Sequence, residues 1–561
     1  MKRNNKICVA IFLLALLIGA FTACGRADAP APPAPPAATP TPAPADPATP
    51  ADPAEPAEPE DAPGIFPIPG NHTISWWMPL SGNVAANFTD RMSTPFGEAL
   101  QEATGVTIDM IHPAGGQVTE QFHLIVASRE FPDIMTINWR AYYPGGPENA
   151  ILDGVIHRLN DIWAAYSPHV LRLLEVDRPD MARYVRTEAG NYFMFPFLRE
   201  TLTNRVFHGP FLRADWLEEL GLDVPETVDE WEEILIAFRD EKGATAPFTL
   251  LWQHRNICPI AAAYGIRTGF YLDEDGNVIF GQMQDNFYHY LVRMSRWFAE
   301  GLIDPDWGSI TTGDVFTARF TSGASGFGQG ALGGALGVIL NAMLDDPVFD
   351  LVPAPVPVLT SGAPRRLGQL DPMAPGVHTT AITTGARNVE LAARFLDFGF
   401  SPEGSLLYNF GIEGVSWNWV DGTPTFTEAI TNHPDGWPMS QAIASVAMSA
   451  DGGPFMQRYD YVLQFFPMPR QQEALALWKT SDTERFLLPP LSFTTGDASR
   501  MAMLMGDINV HADEMMLRFI LGHEELTWDR FNSFRDTLRS MGIYEALEIQ
   551  AAAWERFNQV P

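Results

Sequence analysis

Residues 73–78 read Thr-Ile-Ser-Trp-Trp-Met, and this stretch opens the pattern that decides the fold. β-Branched and aromatic residues at this density are typical of a strand. Alternating patterns follow it: a helix at 96–103, a strand at 106–111, a helix at 117–128 and a strand at 133–137. This order predicts an α/β layer built on a mostly parallel sheet. In such sheets, ligands bind beyond the carboxyl ends of the strands.

The ends of the first and third strands carry side chains that suit a small-molecule site: Trp76, Trp77, Asn138, Trp139 and Arg140. An indole face packs against the apolar face of a sugar ring, while amides and charged groups bond the hydroxyls. Two further polar loops supply the remaining ligand-binding candidates, which are Trp252, Gln253, Trp417, Asn418 and Trp419. The alternative is packing, because most tryptophan in a large protein is core. Packing is the interpretation for the tryptophans at helical spacing: Trp216, Trp231, Trp297, Trp528 and Trp554.

Upstream of this domain, the chain begins with a basic start, an apolar run at 7–23 and then Cys24. A basic start, an apolar core and small residues before a cut site are typical of a secretory signal. Phe21 to Cys24 resembles a bacterial lipoprotein lipobox, with Phe21 where Leu is usual. The resemblance implies that residues 1–23 are a signal peptide and that Cys24 is lipidated, which anchors an exported protein. A transmembrane helix is the alternative.

Residues 30–63 consist of Pro and Ala with Thr, Asp and Glu. Such a composition buries no core, so residues 24–69 are predicted to be a lipidated cysteine followed by a disordered linker. As polyproline II at about 3.1 Å per residue, it would reach roughly 100 Å and act as a spacer. A Pro-rich ligand for a recognition domain is the alternative.

Composition bounds the function further. A chain of 561 residues exceeds one ordinary core and predicts two or three domains. Its formal charge is −32, and removing three cations with the signal leaves −35. This charge repels nucleic acid and anionic lipid headgroups, so neither is an expected partner. Cys258 has no partner for a disulfide, and its apolar neighbours indicate a buried residue.

Several motifs that suggest chemistry are incomplete. Residues 328–333 fit the G-x-G-x-x-G pattern of dinucleotide-binding proteins. The strong preceding strand that this motif requires is absent, and the acidic net charge of the chain disfavours a phosphate-containing ligand. Residues 273–277 lack the Gly and Glu spacing of a calcium loop and predict a hairpin turn. His523 has no second His four residues on, as a zinc protease would require. We therefore predict no catalytic residue, no metal site and no cofactor.

Residues 211–240 contain R-x-D-W-L-x-x-L-G, a Pro, and a D-E-W helix that opens with a Thr227–Glu230 capping box. This order resembles family 1 extracellular solute-binding proteins of ABC importers, and most closely the large lipoprotein members associated with oligosaccharides. Residues 127–134 are similar to the family's A-S-G-D-x-P-D-I, with Arg129 and Glu130 in place of Gly and Asp. Further similar stretches lie at 300–306, 321–326, 409–415 and 541–543.

The resemblance implies an α/β, two-lobe periplasmic-binding-protein-like fold with hinge strands and additional C-terminal helices. It places the first lobe at 70–200 plus 356–410 and the second at 201–355 plus 411–561. The hinge is expected near Tyr192–Met194 and near Leu351–Val358.

The implied function is a lipid-anchored, monomeric receptor on the extracellular face of the cell membrane, without enzymatic activity. It would capture an oligosaccharide between its lobes and deliver it to the permease subunits of an ABC importer. Two alternatives stay open. One is a receptor for another solute, such as a peptide, or one that serves a sensor; the other is a surface glycosidase.

Overall fold

The structure is a computed structural model that describes residues 62–376, 379–449 and 451–559. The predicted signal, Cys24 and the predicted linker up to residue 61 lie outside the described residues. The strands are β1 (His72–Trp77), β2 (Val106–Ile111), β3 (Ile134–Ile137), β4 (Phe197–Arg199), β5 (His208–Arg213), β6 (Phe248–Leu250), β7 (Phe270–Leu272), β8 (Val278–Phe280), β9 (Phe327–Ala331), β10 (Leu351–Pro353), β11 (Thr379–Ile382), β12 (Trp417–Val420), β13 (Thr423–Phe426) and β14 (Phe455–Gln457).

The α-helices, in chain order, are α1 (Gly82–Ala85), α2 (Pro95–Thr104), α3 (Val118–Ser128), α4 (Trp139–Tyr142), α5 (Gly146–Leu152), α6 (Asn160–Tyr166), α7 (Pro168–Arg172), α8 (Pro179–Ala182), α9 (Ala214–Leu220), α10 (Val228–Asp240), α11 (Pro259–Ala263), α12 (Asp285–Ala299), α13 (Gly313–Thr321), α14 (Val338–Ala342), α15 (Val389–Asp397), α16 (Pro402–Phe410), α17 (Glu428–Thr431), α18 (Met439–Val446), α19 (Tyr459–Phe465), α20 (Pro469–Trp478), α21 (Thr495–Ile520), α22 (Trp528–Ser540) and α23 (Ile543–Gln559). Within the described residues, none of these helices is both long and apolar enough to cross a lipid bilayer.

The first sheet has the strand order β11-β3-β1-β2. The strands β1, β2 and β3 are parallel, as predicted, and β11 joins the edge antiparallel to β3. Apolar side chains on both faces of this sheet are covered by helices, which is typical of parallel sheets. The carboxyl ends of three strands therefore meet at one edge, next to α4.

The second sheet has the order β10-β5-β9-β6, with β6 parallel to β9 and β5 antiparallel to it. Its core is separate from that of the first sheet and includes side chains from α10, α12 and the C-terminal helices α21 to α23. The capping box at the start of α10 is confirmed, because Thr227 and Glu230 bond each other's backbone N–H groups. The predicted hairpin turn at 273–277 is also confirmed, between β7 and β8.

Three described segments connect the two cores: residues 200–207, 354–376 and 458–468. The first segment begins directly after β4 and the third directly after β14. These two strands pair with each other in a small parallel ribbon. The first expected hinge position lies before the first of these segments, whereas the second, Leu351–Val358, overlaps the start of the segment that begins at residue 354. Tyr192–Met194 is buried in the first core, and Leu351–Pro353 is an edge strand of the second sheet.

The Gln369 side chain bonds two of the connecting segments together. Its Oε1 accepts from the backbone N–H groups of Phe207 at 2.8 Å and His208 at 3.1 Å. Its Nε2 donates to the carbonyl of Arg205 at 3.2 Å and to Asp371 Oδ1 at 3.0 Å. One buried amide thus uses both of its ends to join residues 205–208 to residues 369–371.

Residues after 410 were expected in the second lobe, yet α18 packs on α2 of the first core. The buried Arg91 side chain fixes this contact. It donates to the carbonyl of Ala447 at 3.1 Å and to the carboxylate of Asp451 at 2.8 Å. The apolar side chains of α18 belong to a cluster that includes Phe211 of the second sheet, so α18 contacts both halves of the molecule.

Candidate functional site

The carboxyl end of β3 leads directly into a polar turn at the edge of the first sheet. Asn138 caps α4, since its Oδ1 accepts from the N–H of Ala141 at 3.1 Å. Arg140 Nη2 donates to the carbonyls of Tyr184 and Arg186 at 3.0 and 3.2 Å, and Arg140 Nη1 bonds Ser492. These contacts hold the Arg140 side chain at the wall of a cavity.

Burial lowers the pKa of Arg140 to about 10, and the nearby Glu188 carboxylate opposes that effect. At neutral pH the guanidinium therefore keeps its charge. It also lies 5.1 Å from the centre of the Phe193 ring, so one face is covered by an aromatic side chain. Arg140 presents a fixed positive group beside the cavity.

The cavity has a volume of about 830 Å³ and lies between elements of the two cores. From the first core, Arg140 and the half-exposed Tyr142 line it, and from the second core Phe270 does so. The helix α21 closes another side with Met505 and Asn509. This volume falls within the range of roughly 300–1,000 Å³ usual for small-molecule sites. Aromatic faces and a few polar groups from two separate cores therefore surround one space.

The end of the second sheet approaches the same helix. Trp252 and Gln253 follow β6, and the Arg255 guanidinium lies 4.8 Å from the centre of the Trp252 ring. Arg255 donates twice to Asp513 of α21, at 2.9 and 2.6 Å. Asp513 comes about one helical turn after Asn509 of the cavity wall. Trp252 is half-buried and Gln253 exposed, and neither is among the residues that line the cavity.

Two histidines lie at the same end of the second sheet, with ring centres 4.8 Å apart. Burial lowers the pKa of His208 to about 3, and the neighbouring His254 contributes to the effect. Burial also lowers the pKa of His254. Both rings are consequently neutral at physiological pH, and they add polar but uncharged groups to this edge.

The tryptophans predicted at the ends of the first sheet are enclosed by the first core. Trp76 donates from Nε1 to Thr136 Oγ1 at 2.8 Å and packs edge-on against Phe395. Trp77 is 1% exposed, and Trp139 is fully buried against Phe122 with ring centres 5.4 Å apart. In the described structure, these three indoles support the turn that carries Asn138 and Arg140 and do not line the cavity.

The predicted site residues after 410 lie elsewhere, on the hairpin of β12 and β13. Trp417 is buried, and its Nε1 donates to the carbonyl of Gly411 at 3.0 Å. Asn418 is exposed and Trp419 is half exposed, packed edge-on against Trp417. Trp417 borders a separate groove of about 350 Å³ on the side of α2 and α16. The structure does not bring this hairpin to the 830 Å³ cavity.

Four aromatic residues that line the cavity were not predicted from the sequence: Tyr142, Tyr143, Phe270 and Phe493. Tyr142 lies only two residues after Arg140, so its position after β3 was an available signal. Phe270 begins β7 directly before two buried residues, and this pattern gave no reason to place it in a cleft.

The described residues show little that resembles a metal or nucleophilic centre. No three His, Cys, Asp or Glu side chains among them come together as a metal site would require. Asp273 accepts from the N–H groups of Asp275 and Asn277 and from the Asn277 amide, so the hairpin turn occupies its carboxylate. The Cys258 thiol is buried, as expected, and burial raises its pKa.

Comparisons with known proteins agree with this architecture. The fructooligosaccharide ABC transporter substrate-binding protein FusA of Streptococcus pneumoniae is 22% identical over 503 residues, covering 82% of this chain and 86% of that protein. The crystal structure of the alginate-binding protein AlgQ2 superposes with a TM-score of 0.68 at 21% identity, covering 86% of this chain and 98% of that one.

A solute-binding protein associated with an HMO-binding ABC transporter, from Bifidobacterium longum infantis, superposes with a TM-score of 0.70 at 17% identity. It covers 87% of this chain and 99% of its own. These likenesses show a two-lobe α/β fold with additional helices. The family model for bacterial extracellular solute-binding proteins matches residues 85–405, more than half of the chain. The chain belongs to the bacterial extracellular solute-binding protein family.

Proposed function

We propose that this protein captures an oligosaccharide between its two lobes and delivers it to the permease of an ABC importer. The observation that carries the proposal is the 830 Å³ cavity, which takes aromatic faces from Tyr142 on one core and Phe270 on the other. Sugar rings pack on such faces, while Arg140 and Asn509 supply groups for hydroxyls. The similarity to FusA, whose name states a fructooligosaccharide substrate, supports the same class of solute.

Capture needs no covalent step. Because the cavity walls come from both cores, a solute contacts both lobes at once only when the lobes are close together. Binding then shifts the population toward the closed form, by as much as the solute prefers that form. The closed form is the shape that a permease recognises, so loading of the receptor and recognition are coupled.

We assign the first lobe to the sheet of β1, β2, β3 and β11 with the elements packed on it, including α18. The second lobe holds the sheet of β5, β6, β9 and β10 with α21 to α23. Within the site, we propose that Tyr142 and Phe270 contact sugar rings, together with Asn138, Arg140, Trp252 and Gln253 from the sequence-based set. Trp76, Trp77 and Trp139 then act by holding the turn after β3, and Trp417, Asn418 and Trp419 lie outside the site.

The experiment is calorimetric titration of the mature protein with a panel of neutral and acidic oligosaccharides and of peptides. Tyr142→Ala and Phe270→Ala should each weaken binding of the best oligosaccharide about fivefold or more, since stacking on an aromatic ring is worth about 1 kcal/mol or more. Trp419→Ala is the matched control, an aromatic truncation remote from the cavity, and it should bind normally.

The outcomes separate the alternatives. Binding of peptides without oligosaccharides would assign a different solute. Chromatography of the solute recovered after incubation should show it intact. Shortened products would indicate a surface glycosidase and overturn the proposal.

We also propose that Cys24 carries the acyl chains that hold a monomeric protein at the outer face of the membrane. Stable anchoring requires two hydrophobic attachments, which lipoprotein acylation supplies. Growth with an alkyne-tagged palmitate should label the wild-type chain, and Cys24→Ala should be unlabelled and released from the membrane fraction. Equal membrane retention of both chains would contradict the anchor.

A further inference from the structure

The last helix of the second lobe extends to the first lobe. The beginning of α23 packs in the second core through Ile543 and Ala546, whereas its end contributes Ala553 and Phe557 to a separate small apolar cluster. Tyr184 packs both on this cluster and on the first core. Its ring meets the Phe557 ring edge-on, with centres 5.5 Å apart. The small cluster therefore joins the two lobes, and among the described residues it includes none from the three connecting segments.

Arg556, directly before Phe557 in α23, forms a partly buried ion pair with the first lobe. Arg556 Nη2 donates to Glu188 Oε1 at 3.2 Å, and Arg556 Nε lies 2.8 Å from Glu188 Oε2. The Glu188 side chain is only 15% exposed, so water and salt screen this pair less than a surface pair. On its other side, Arg556 Nη2 lies 3.7 Å from Asp497 of α21, within the second lobe. Separating the lobes would break the contacts with Glu188 and preserve the one with Asp497.

These contacts share residues with the wall of the 830 Å³ cavity. Leu491 lines the cavity and also belongs to the small cluster. Next to it, Ser492 bonds Arg140, which lines the cavity from the first lobe. At the start of α21, Thr495 bonds Asn149 of α5. The interlobe contacts and the cavity therefore form together when the lobes meet, and a movement that opens the cavity between the lobes also breaks these contacts.

We propose that Glu188 and Arg556 are positioning residues, which strengthen solute binding by stabilising the closed arrangement of the lobes. This inference rests on the proposed function and adds the contact that regulates it. Neither side chain is among the residues that line the cavity, so the pair acts on the lobes and not on the solute.

The effect on affinity follows from the population of the closed form. A solute that needs both lobes binds the closed form, so its apparent dissociation constant is the intrinsic constant divided by the fraction of closed molecules. The pair of Glu188 and Arg556 exists only in the closed form and raises that fraction. Because the connecting segments already tether the lobes, the pair forms within one molecule and at a high effective concentration. We therefore expect the unliganded protein to be closed for more of the time with the pair than without it.

The alternative is that the ion pair only fastens the end of α23 to the rest of the protein. A contact of that kind would change the free energy of unfolding and leave the solute affinity unchanged. Arg500 and Glu545 provide the matched comparison, because they form an ion pair at 2.6 Å between α21 and α23 inside the second lobe. Opening and closing of the lobes leave that pair intact.

The test is calorimetric titration of the mature protein with neutral oligosaccharides, among them kestose, maltotriose and galactotriose. For the one that binds most tightly, Arg556→Gln and Glu188→Gln should each raise the dissociation constant about fivefold, through loss of one partly buried ion pair. The double variant should show the same increase and not the product of two, because both changes remove one contact. Arg500→Gln is the control and should bind as the wild type does.

Charge is tested separately from packing. Arg556→Lys keeps the positive charge and should retain part of the wild-type affinity. Raising the NaCl concentration from about 0.05 M to about 0.5 M should weaken wild-type binding of an uncharged solute, since salt screens the pair, and should change the affinity of Arg556→Gln less.

Small-angle X-ray scattering of the unliganded proteins gives a readout that needs no solute. Arg556→Gln should have a larger radius of gyration than the wild type, and Arg500→Gln an unchanged one. Equal radii for Arg556→Gln and the wild type, or an unchanged dissociation constant in Arg556→Gln, would overturn the inference while the proposed function stands. Failure of every oligosaccharide to bind would overturn the proposed function, and the scattering would still decide whether the pair holds the lobes together.

Discussion

Ser75 and Asp133 are joined by three hydrogen bonds between the first and third parallel strands. The N–H and hydroxyl of Ser75 donate to Asp133 Oδ2 at 2.8 and 2.6 Å, and the N–H of Asp133 donates back to Ser75 Oγ at 2.9 Å. Arg387 adds a bond to the same carboxylate at 2.9 Å. This connection fixes the start of β3 and so the direction in which the turn at Asn138 leaves the sheet.

Replacing the carboxylate tests this connection. Asp133→Asn should lower the free energy of unfolding by roughly 2 kcal/mol, because an amide cannot accept all the bonds that converge on the carboxylate. Denaturant titration measures the loss. Asp109→Asn, on an exposed residue of β2, changes the same groups and should cost less than about 0.5 kcal/mol. Equal losses in the two variants would contradict the role given to Asp133.

Glu232 gives the protein a defined dependence on pH. Burial alone would raise its pKa, but hydrogen bonds from Arg296, Trp297 and Arg293 outweigh burial and lower the pKa to about 2. Because the folded-state pKa lies below the unfolded value, this carboxylate stabilises the protein above about pH 4.5 and loses its effect as pH falls toward 2. Glu232→Gln should therefore lower the melting temperature at pH 7 more than at pH 3.

The matched control is Glu233→Gln, on the exposed neighbour in the same helix. Its melting curve should follow the wild type at both pH values. If Glu232→Gln instead lost the same number of degrees at pH 3 as at pH 7, the charge of Glu232 would not be the source of its contribution.

The ion pair of Arg91 and Asp451 should be strongly coupled. Both side chains are buried, with 3% and 5% of their surface exposed. Removing one partner leaves the other charge buried, so Arg91→Met should cost about 3 kcal/mol of unfolding free energy. Adding Asp451→Asn should recover part of that loss, which a double-mutant cycle measures. Arg158→Met, which removes one partner of an exposed pair, should leave the free energy of unfolding nearly unchanged. Additive losses at Arg91 and Asp451 would exclude the coupling.

Gly209 allows α20 to approach the second sheet. A Cβ atom at Gly209 would lie 2.2 Å from the Trp478 ring, far inside van der Waals contact. Gly209→Ala should destabilise the protein by roughly 2 kcal/mol through overpacking. Gly313→Ala, where no atom lies within 4 Å of the added carbon, should be neutral or slightly stabilising. Thermal melts of both variants decide whether this close approach constrains the fold.

Local patterns predicted the elements well because the interactions behind them are local. The parallel order of β1, β2 and β3 followed from alternating strand and helix periods, and the turn at 273–277 followed from its polar residues. The capping box at Thr227 needs only a side chain three residues away. Each of these features is complete within a few residues or one α/β layer.

The aromatic part of the site was less accessible to sequence reasoning. Trp76 and Trp77 point to opposite faces of a sheet that is covered on both sides, so neither faces a cleft. Nothing within six residues distinguishes that sheet from one with a free face. The cavity residues Tyr142 and Phe270 lie 128 positions apart, and only the arrangement of the two cores brings them together.

The four bonds of Gln369 have a consequence for how the two halves move. Sliding one connecting segment past the other would break bonds at Phe207, His208 and Arg205 together, whereas bending both segments in parallel preserves all of them. We therefore expect rotation about a line through this amide to cost less than shear between the two segments. A transporter that docks across both halves would then distinguish the loaded receptor from the empty one by the angle between the two halves.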